Sequence, residues 1–256
     1  MTAEPTGVPS APSRTSTERP GLFVTFEGGD GAGKTTQAAM LEEWLRAAGR
    51  TVVRTREPGG TDVGAIVRDL VLHHRGHIAP RAEALLYAAD RAHHVETVVR
   101  PALARGDIVI QDRYLDSSVA YQGAGRVLDA ADVRGLSLWA TDGLLPDITV
   151  LLDLEPKTAR ARLDSDDKPF DRLEAEKSEF HDRVRAGFLR LAEAEPERFL
   201  VLDATEPADT LAERIREAVA ARLGRRPPGD GRSRASSSGA GAPEATHARR
   251  RRGASA

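Results

Sequence analysis

Five short runs of aliphatic and β-branched residues recur along the chain: Leu22–Glu27, Thr51–Arg56, Asp107–Asp112, Ile148–Leu154 and Phe199–Asp203. Within each, apolar residues follow one another closely, the pattern of strands covered on both faces. The stretches between them predict helices over Lys34–Ala48, Val63–His73, Arg81–Ala104, Ala130–Ala140, Pro156–Leu163, Glu174–Ala194 and Pro207–Leu223. In the first of these, Ala38, Leu41, Trp44 and Leu45 make one apolar face. Pro80, Pro156 and Pro207 stand at helix starts, where a missing N–H costs little. Strands alternating with helices predict an α/β fold with a doubly wound, five-stranded parallel sheet. Ligands then bind beyond the carboxyl ends of the strands. There is no internal repeat.

The ends of the chain lack this periodicity. Residues 1–20 are rich in Pro, Ser, Thr and Ala and read as a disordered arm, and residues 224–256 read as a second one, ending in Arg249-Arg250-Arg251-Arg252. A solvated tail is expected there, with nucleic-acid contact by the arginine run as the alternative. The working domain is then residues 21–223. At 256 residues, 40% hydrophobic and 30% charged, the chain can bury a sizeable core. A formal charge of −2 excludes nucleic-acid binding by bulk charge. The absence of cysteine excludes disulfides, zinc–thiolate sites and cysteine nucleophiles. No apolar run approaches a membrane span and no leader pattern opens the sequence, so a cytoplasmic location is expected. The histidines at 73, 74, 77, 93 and 94 have no carboxylate pattern beside them. They read as helix surface or helix ends, and no zinc is assigned. Trp44 and Trp139 read as core or interface residues.

The strongest chemical signal follows the first strand. Residues 28–35 read Gly-Gly-Asp-Gly-Ala-Gly-Lys-Thr, a Gly-x-x-x-x-Gly-Lys-Thr loop between a strand and a helix. This is the phosphate-cradling loop of P-loop proteins. The glycines let backbone N–H groups converge on phosphate oxygens, Lys34 supplies a mobile positive charge, and the Thr35 hydroxyl suits Mg²⁺. The helix that starts here turns its positive dipole end toward the same anions. The chain has only four lysines, at 34, 157, 168 and 177, so the one in the loop stands out.

Other motifs fall where strands end. Arg56-Glu57-Pro58-Gly59-Gly60-Thr61 closes the second, and Asp112-Arg113-Tyr114 the third, followed by Ser117-Ser118-Val119-Ala120-Tyr121-Gln122-Gly123. On the helix before the third strand, Tyr87 and Arg91 are four residues apart and share a face. An aromatic ring beside a guanidinium suits stacking on a base and reading its edge. Taken singly, each of these motifs is more often a salt bridge or ordinary packing; together, at the strand ends of one P-loop unit, they point to a nucleotide site.

In these motifs the chain resembles the bacterial thymidylate kinases, a family of P-loop nucleoside monophosphate kinases. The matching stretches are residues 26–36, 54–61, 89–91, 112–114, 120–123 and 170–174, in order between Leu22 and Leu223. The resemblance implies phosphorylation of dTMP to dTDP by Mg-ATP, in a homodimer, with the helix Arg81–Ala104 as candidate interface. It assigns Gly28, Gly29, Asp30, Gly31, Ala32, Gly33, Lys34, Thr35 and Thr36 to ATP. It assigns Asp30 to the 3′-hydroxyl of dTMP, Tyr87 to stacking on the base and Arg91 to its edge. Arg68 and Arg113 would hold the dTMP phosphate, and Ser118 and Gln122 would contact the base. Tyr121 would stand near the sugar 2′ position and disfavour a ribonucleotide. Thr35 and Asp112 would serve Mg²⁺, with Asp112 acting directly, through water, or only by orienting Arg113. Lys34 and Arg113 would be catalytic.

Gly31 stands where some members carry an arginine that reaches the transferring phosphoryl group. Others supply it from a lid, here about residues 160–173, in which Arg172 is the first candidate and Arg162 the second. The lid centre Asp164-Ser165-Asp166-Asp167-Lys168 departs from the Arg- and Gly-rich sequence usual there. Acidic groups turned toward ATP phosphates would be unfavourable. Two rivals stand beside this reading: a kinase for another nucleotide or nucleoside, and a nucleotide-binding regulator without turnover.

Overall fold

All five apolar runs form strands of one sheet in the computed structural model, which describes residues 21–126, 128–164 and 170–224. The strands are β1 (Leu22–Glu27), β2 (Val52–Arg56), β3 (Ile108–Asp112), β4 (Ile148–Asp153) and β5 (Phe199–Asp203). They run parallel in the order β2-β3-β1-β4-β5, the doubly wound arrangement expected. The central strands β1, β3 and β4 are buried almost throughout, whereas β2 and β5 are partly exposed because each is an edge. The terminal arms lie outside the described residues, except that Gly224 closes the last helix.

The helices are α1 (Lys34–Ala47), α2 (Asp62–His73), α3 (Pro80–His94), α4 (Arg100–Ala104), α5 (Leu115–Ser118), α6 (Ala130–Ala140), α7 (Pro156–Asp164), α8 (Ser178–Ala194) and α9 (Ala208–Gly224). Local chemistry sets several starts. Thr61 Oγ1 accepts from the Gly64 N–H at 2.9 Å and caps α2, and Asp129 caps α6 through Ala131 and Asp132. The single helix expected over Arg81–Ala104 is divided into α3 and α4 by a π-helical segment, Val95–Val99. Pro101 explains the change, because it has no N–H for the ladder and its ring crowds the preceding turn. The helix expected from Glu174 begins at Ser178. Asp171 Oδ1 accepts from the N–H groups of Leu173 and Glu174, each at 2.8 Å, and fixes a turn first.

Residues 115–125 were not among the expected helices. They form α5 and a second π-helical segment, Val119–Gly125. Glycines at 123 and 125 make this stretch look like a loop in sequence. In the fold Gly125 is required by contact: a Cβ there would lie 2.7 Å from the Phe180 ring on α8.

Alternating side chains of β1 face two cores. Leu22, Val24 and Phe26 pack with Leu41 and Leu45 of α1 and with Ile215 of α9. Phe23 points the other way, with Val99, Leu103 and an edge-to-face contact to Tyr114 at 5.0 Å. A third cluster gathers Tyr87, Tyr121, Phe180 and Phe188 between α3 and α8. Trp44 is partly buried against the first core. Trp139 departs from a core reading, being 81% exposed on α6.

A buried ion pair ties the segment after β3 to the start of β5. Arg198, just before β5, donates to both Asp116 oxygens at 2.6 and 2.8 Å, and to Thr149 on β4 at 2.7 Å. Asp116 is fully buried. Removing one partner of such a pair strands the other charge. Arg198→Ala is therefore expected to lower the unfolding free energy by ~3–5 kcal/mol, read by urea denaturation. A loss under ~1 kcal/mol would show that Asp116 finds another partner or a proton.

Candidate active site

Parallel pairing brings two strand ends together. Phe26 of β1 is opposite Asp112 of β3, so the glycine loop that follows β1 and the Asp112-Arg113 step that follows β3 are neighbours. The loop turns through left-handed backbone at Gly31 and Gly33, with φ 77° and 93°. At Gly28, φ is 130°, and a Cβ would lie 2.4 Å from the Leu152 carbonyl oxygen, so no larger residue fits. Lys34 is buried, and its Nζ donates to the Gly28 and Gly29 carbonyls at 3.2 and 2.8 Å. Burial and Arg113 push its pKa down, against the pull of Asp30 and Asp112. Thr35 Oγ1 donates to Asp112 Oδ2 at 2.9 Å.

Arg113 is the junction of the site. It is a non-glycine residue at φ 66°, a conformation that costs energy and is held by its surroundings. Its N–H donates to the Phe26 carbonyl at 2.9 Å, and its own carbonyl accepts from Gln111 at 2.9 Å. Its guanidinium donates to Asp30 at 2.5 Å, Ser117 at 3.0 Å, the Gly28 carbonyl at 3.1 Å and the Tyr121 hydroxyl at 3.2 Å. The Tyr121 hydroxyl in turn donates to Asp30 at 3.1 Å. Burial by itself would favour a protonated Asp30, but Arg113 and Lys34 outweigh it and hold the carboxylate ionised.

Two cavities open on this junction. One, of about 1140 Å³, lies over the glycine loop and is lined by Lys34, Thr35, Asp112, Arg56 and Arg162. The other, of about 520 Å³, lies beside α3 and is lined by Tyr87, Arg91, Ser118, Tyr121 and Gln122. Asp30, Glu57, Arg68 and Arg113 line both. Every residue that the sequence reading grouped around the second substrate faces the cavity beside α3. Of the loop residues, Asp30, Gly31, Gly33, Lys34, Thr35 and Thr36 face the larger one, while Ala32 is buried. Arg68 is half-buried, with its guanidinium on the Pro58 carbonyl at 3.0 Å; burial and the neighbouring Arg56 push its pKa down.

Arg91 lines the cavity, yet it is 2% exposed and heavily engaged. Its Nε donates to Glu57 at 2.8 Å, Nη1 to Ser137 at 3.0 Å, and Nη2 to Ser118 at 3.1 Å and the Tyr114 carbonyl at 3.2 Å. Most of its donors thus build the wall, and one Nη1 hydrogen has no acceptor among the described residues. The lid arginines separate. Arg162 lies by the loop, donating to the Gly31 carbonyl at 3.4 Å and the Ala204 carbonyl at 2.9 Å. Arg172 is held by the Val71 carbonyl at 2.8 Å and by Glu83, and it lines neither cavity. Asp164 pairs with Arg160 at 3.2 Å, and residues 165–168 of the acidic lid centre lie outside the described residues.

The sequence reading passed over the carboxylates that set these arginines in place. Glu57 holds Arg91 through one oxygen and His94 Nδ1 through the other, at 2.8 and 2.9 Å. His94 ends α3 as expected but is fully buried, with Thr55 on its second nitrogen at 2.7 Å. Glu27, at the end of β1, accepts from the Tyr114 N–H at 2.8 Å and from the Ser117 hydroxyl at 2.6 Å. Arg56 was also missed, although its position at the end of β2 could have found it.

A parallel sheet of this strand order, with a glycine loop and an Asp-Arg step at adjoining strand ends, defines an α/β P-loop nucleotide kinase. The thymidylate kinase family model matches residues 26–215. Among curated relatives, the thymidylate kinase of Leifsonia xyli subsp. xyli is 72% identical over 78% of this chain and 95% of its own length. That of Clavibacter sepedonicus is 70% identical over 77% of this chain and 93% of its own, and that of Deinococcus radiodurans 55% identical over 79% and 98%. The chain belongs to the thymidylate kinase family. Among the described residues, no helix is long and apolar enough to cross a membrane.

Glu27 makes the site's architecture sensitive to pH. Burial, and then the charge of Asp116, raise its pKa from 4.5 to about 7. The folded state therefore binds this proton more tightly than the unfolded chain. The stability it contributes is full below about pH 4.5 and is lost as pH rises through about 7. Glu27→Gln mimics the protonated form and removes that loss. Urea denaturation at about pH 5 and about pH 8 is expected to show the variant gaining on wild type at the higher pH by ~1–3 kcal/mol. A constant difference would mean that Glu27 is ionised throughout.

Proposed function

We propose that the two cavities hold the two substrates of one phosphoryl transfer, Mg-ATP over the glycine loop and dTMP beside α3. The chain, a thymidylate kinase, phosphorylates dTMP to dTDP. The observation that carries the assignment of cavities is that Arg113, Arg68 and Asp30 line both, so two phosphates can meet at shared cations. The acceptor is a phosphate monoester, a dianion that is already a nucleophile near neutral pH. No general base is required, and the task left to the protein is to bring like charges together and align them.

In this reading the loop N–H groups and Lys34 bind the β- and γ-phosphates of ATP. Arg113 and Arg68 hold the dTMP phosphate, and Arg56 adds charge at the same mouth. Tyr87 stacks on the base, while Arg91, Ser118 and Gln122 form the wall against its edge. Asp30 takes the 3′-hydroxyl, and Tyr121 fills the space a ribose 2′-hydroxyl would need. Arg162, beside Gly31, is the lid arginine nearest to hand in this conformation, and Arg172 would join only if the lid moved. Thr35 and Asp112 offer hard oxygen donors 2.9 Å apart, a pair that suits Mg²⁺. When bound there, Mg²⁺ would neutralise phosphate charge alongside the arginines.

The reading is tested by ADP release from Mg·ATP with dTMP, dUMP, dCMP, dGMP, AMP or thymidine as acceptor. Turnover is expected on dTMP, weaker turnover on dUMP and little on the rest. Lys34→Ala is expected to reduce the dTMP rate by at least ~10²-fold without unfolding the protein, as loss of a charge donor at the transferring group does. Preference for another acceptor would reassign the cavity beside α3. ATP binding with no turnover on any acceptor would favour a regulator.

A homodimer belongs to the same proposal. Three adjoining helices leave large apolar side chains in solvent: Ile66 and Leu70 on α2, Leu85 on α3, and Trp139 on α6. Exposed apolar side chains of this size suit burial against a second copy. Sedimentation is expected to give twice the chain mass, and Ile66→Glu to shift it toward the monomer. A monomeric wild type at micromolar concentration would remove the dimer.

A further inference from the structure

Glu83 is fully buried in the first turn of α3 and has no part in the roles above. Donors crowd both of its oxygens. Oε1 accepts from Gln122 Nε2 at 2.9 Å and Arg126 Nε at 3.3 Å, and Oε2 from Arg126 Nη2 at 3.4 Å and from Arg172. Burial opposes its ionisation, but Gln122 and Arg126 more than offset this and bring its pKa below the ordinary value. An ionised carboxylate can only accept hydrogen bonds. Gln122 must therefore give Glu83 its –NH₂. Its carbonyl oxygen accepts no hydrogen bond among the described residues, and the side chain lines the cavity beside α3.

We propose that Glu83 is a positioning residue for base selection: it fixes the Gln122 amide so that an acceptor, not a donor, meets the ring edge of the bound nucleotide. The inference rests on dTMP occupying that cavity. Thymine carries an N–H at N3 between two ring carbonyls, and the Gln122 oxygen can accept from it. Cytosine has a lone pair at N3 and an amino group beside it, so two lone pairs would face each other. Ser118 adds to the match. Its oxygen already accepts from Arg91 at 3.1 Å, which leaves its own proton for a ring carbonyl. Glu83 never touches the base in this arrangement. It removes the freedom of an amide that could otherwise turn over and present its donor.

The test is kcat/KM for dTMP and for dCMP in wild type, Glu83→Gln, Glu83→Asp, Arg126→Met and Gln122→Met. A glutamine at 83 can donate as well as accept, so the Gln122 amide is free to turn. The preference for dTMP over dCMP is expected to fall about 10- to 100-fold in Glu83→Gln, the effect of one mismatched buried hydrogen bond, mainly through KM for the monophosphate. Glu83→Asp keeps an acceptor-only group and is expected to retain most of the preference. Arg126→Met removes another partner of Glu83 but not its bond to Gln122, and is expected to keep the ratio. A wild-type ratio in Glu83→Gln, or an equal loss in Arg126→Met, overturns the proposal. Gln122→Met leaves Glu83 its two arginines and covers a Glu83→Gln that does not fold; an unchanged ratio there also overturns it. A wild type without dTMP turnover, by contrast, overturns the functional reading itself.

Discussion

The contact between Arg113 and Asp30 is the constraint on which the rest of the site depends. It joins the loop after β1 to the residue after β3, and it can form only because those strands are parallel neighbours in register. Arg113 adopts left-handed backbone to make it, a cost borne by hydrogen bonds to Phe26, Gly28, Ser117 and Tyr121. Those partners come from the sheet, the glycine loop and the segment 115–125. A guanidinium fixed from so many directions loses little freedom when it meets an anion, which is what alignment of two phosphates requires.

Buried carboxylates are the second element of the design. Glu57 sets Arg91, Glu83 sets Gln122 and Arg126, and Asp116 sets Arg198. In each case a buried acid fixes the direction of the cation or amide that it holds, and two of the groups so fixed, Arg91 and Gln122, line the cavity beside α3. A charge in a low-dielectric interior is tolerated when paired in this way, and the pairing fixes direction as well as charge. A site built to neutralise two nucleotides must hold many cations close together, and the acids behind them limit the mutual repulsion.

The two π-helical segments serve the same end by different means. Val95–Val99 lets the chain pass Pro101 without ending the helix that carries Tyr87 and Arg91. Val119–Gly125 presents Tyr121 and Gln122, and with Ser118 just ahead of it brings three polar side chains to one cavity wall. Gly125 permits the close approach of α8, whose Phe180 and Phe188 pack against the Tyr121 ring.

The local order of residues determined the strands, the glycine loop and the shared helix face of Tyr87 and Arg91, because each leaves a short-range pattern: an apolar run, a fixed glycine spacing, a helical repeat. It also carried the family, through motifs in sequence order. The tertiary structure alone decided which acid stands behind which arginine. Glu57 and Arg91 are 34 residues apart, Glu83 and Arg172 89, and Asp116 and Arg198 82, and no local pattern spans such distances. It also decided that Arg91 spends most of its donors on the wall, that Arg162 rather than Arg172 lies by the loop, and that Trp139 faces solvent. These outcomes depend on how distant elements pack, and a side chain's neighbours across the sheet are set by topology rather than by the residues beside it in the chain.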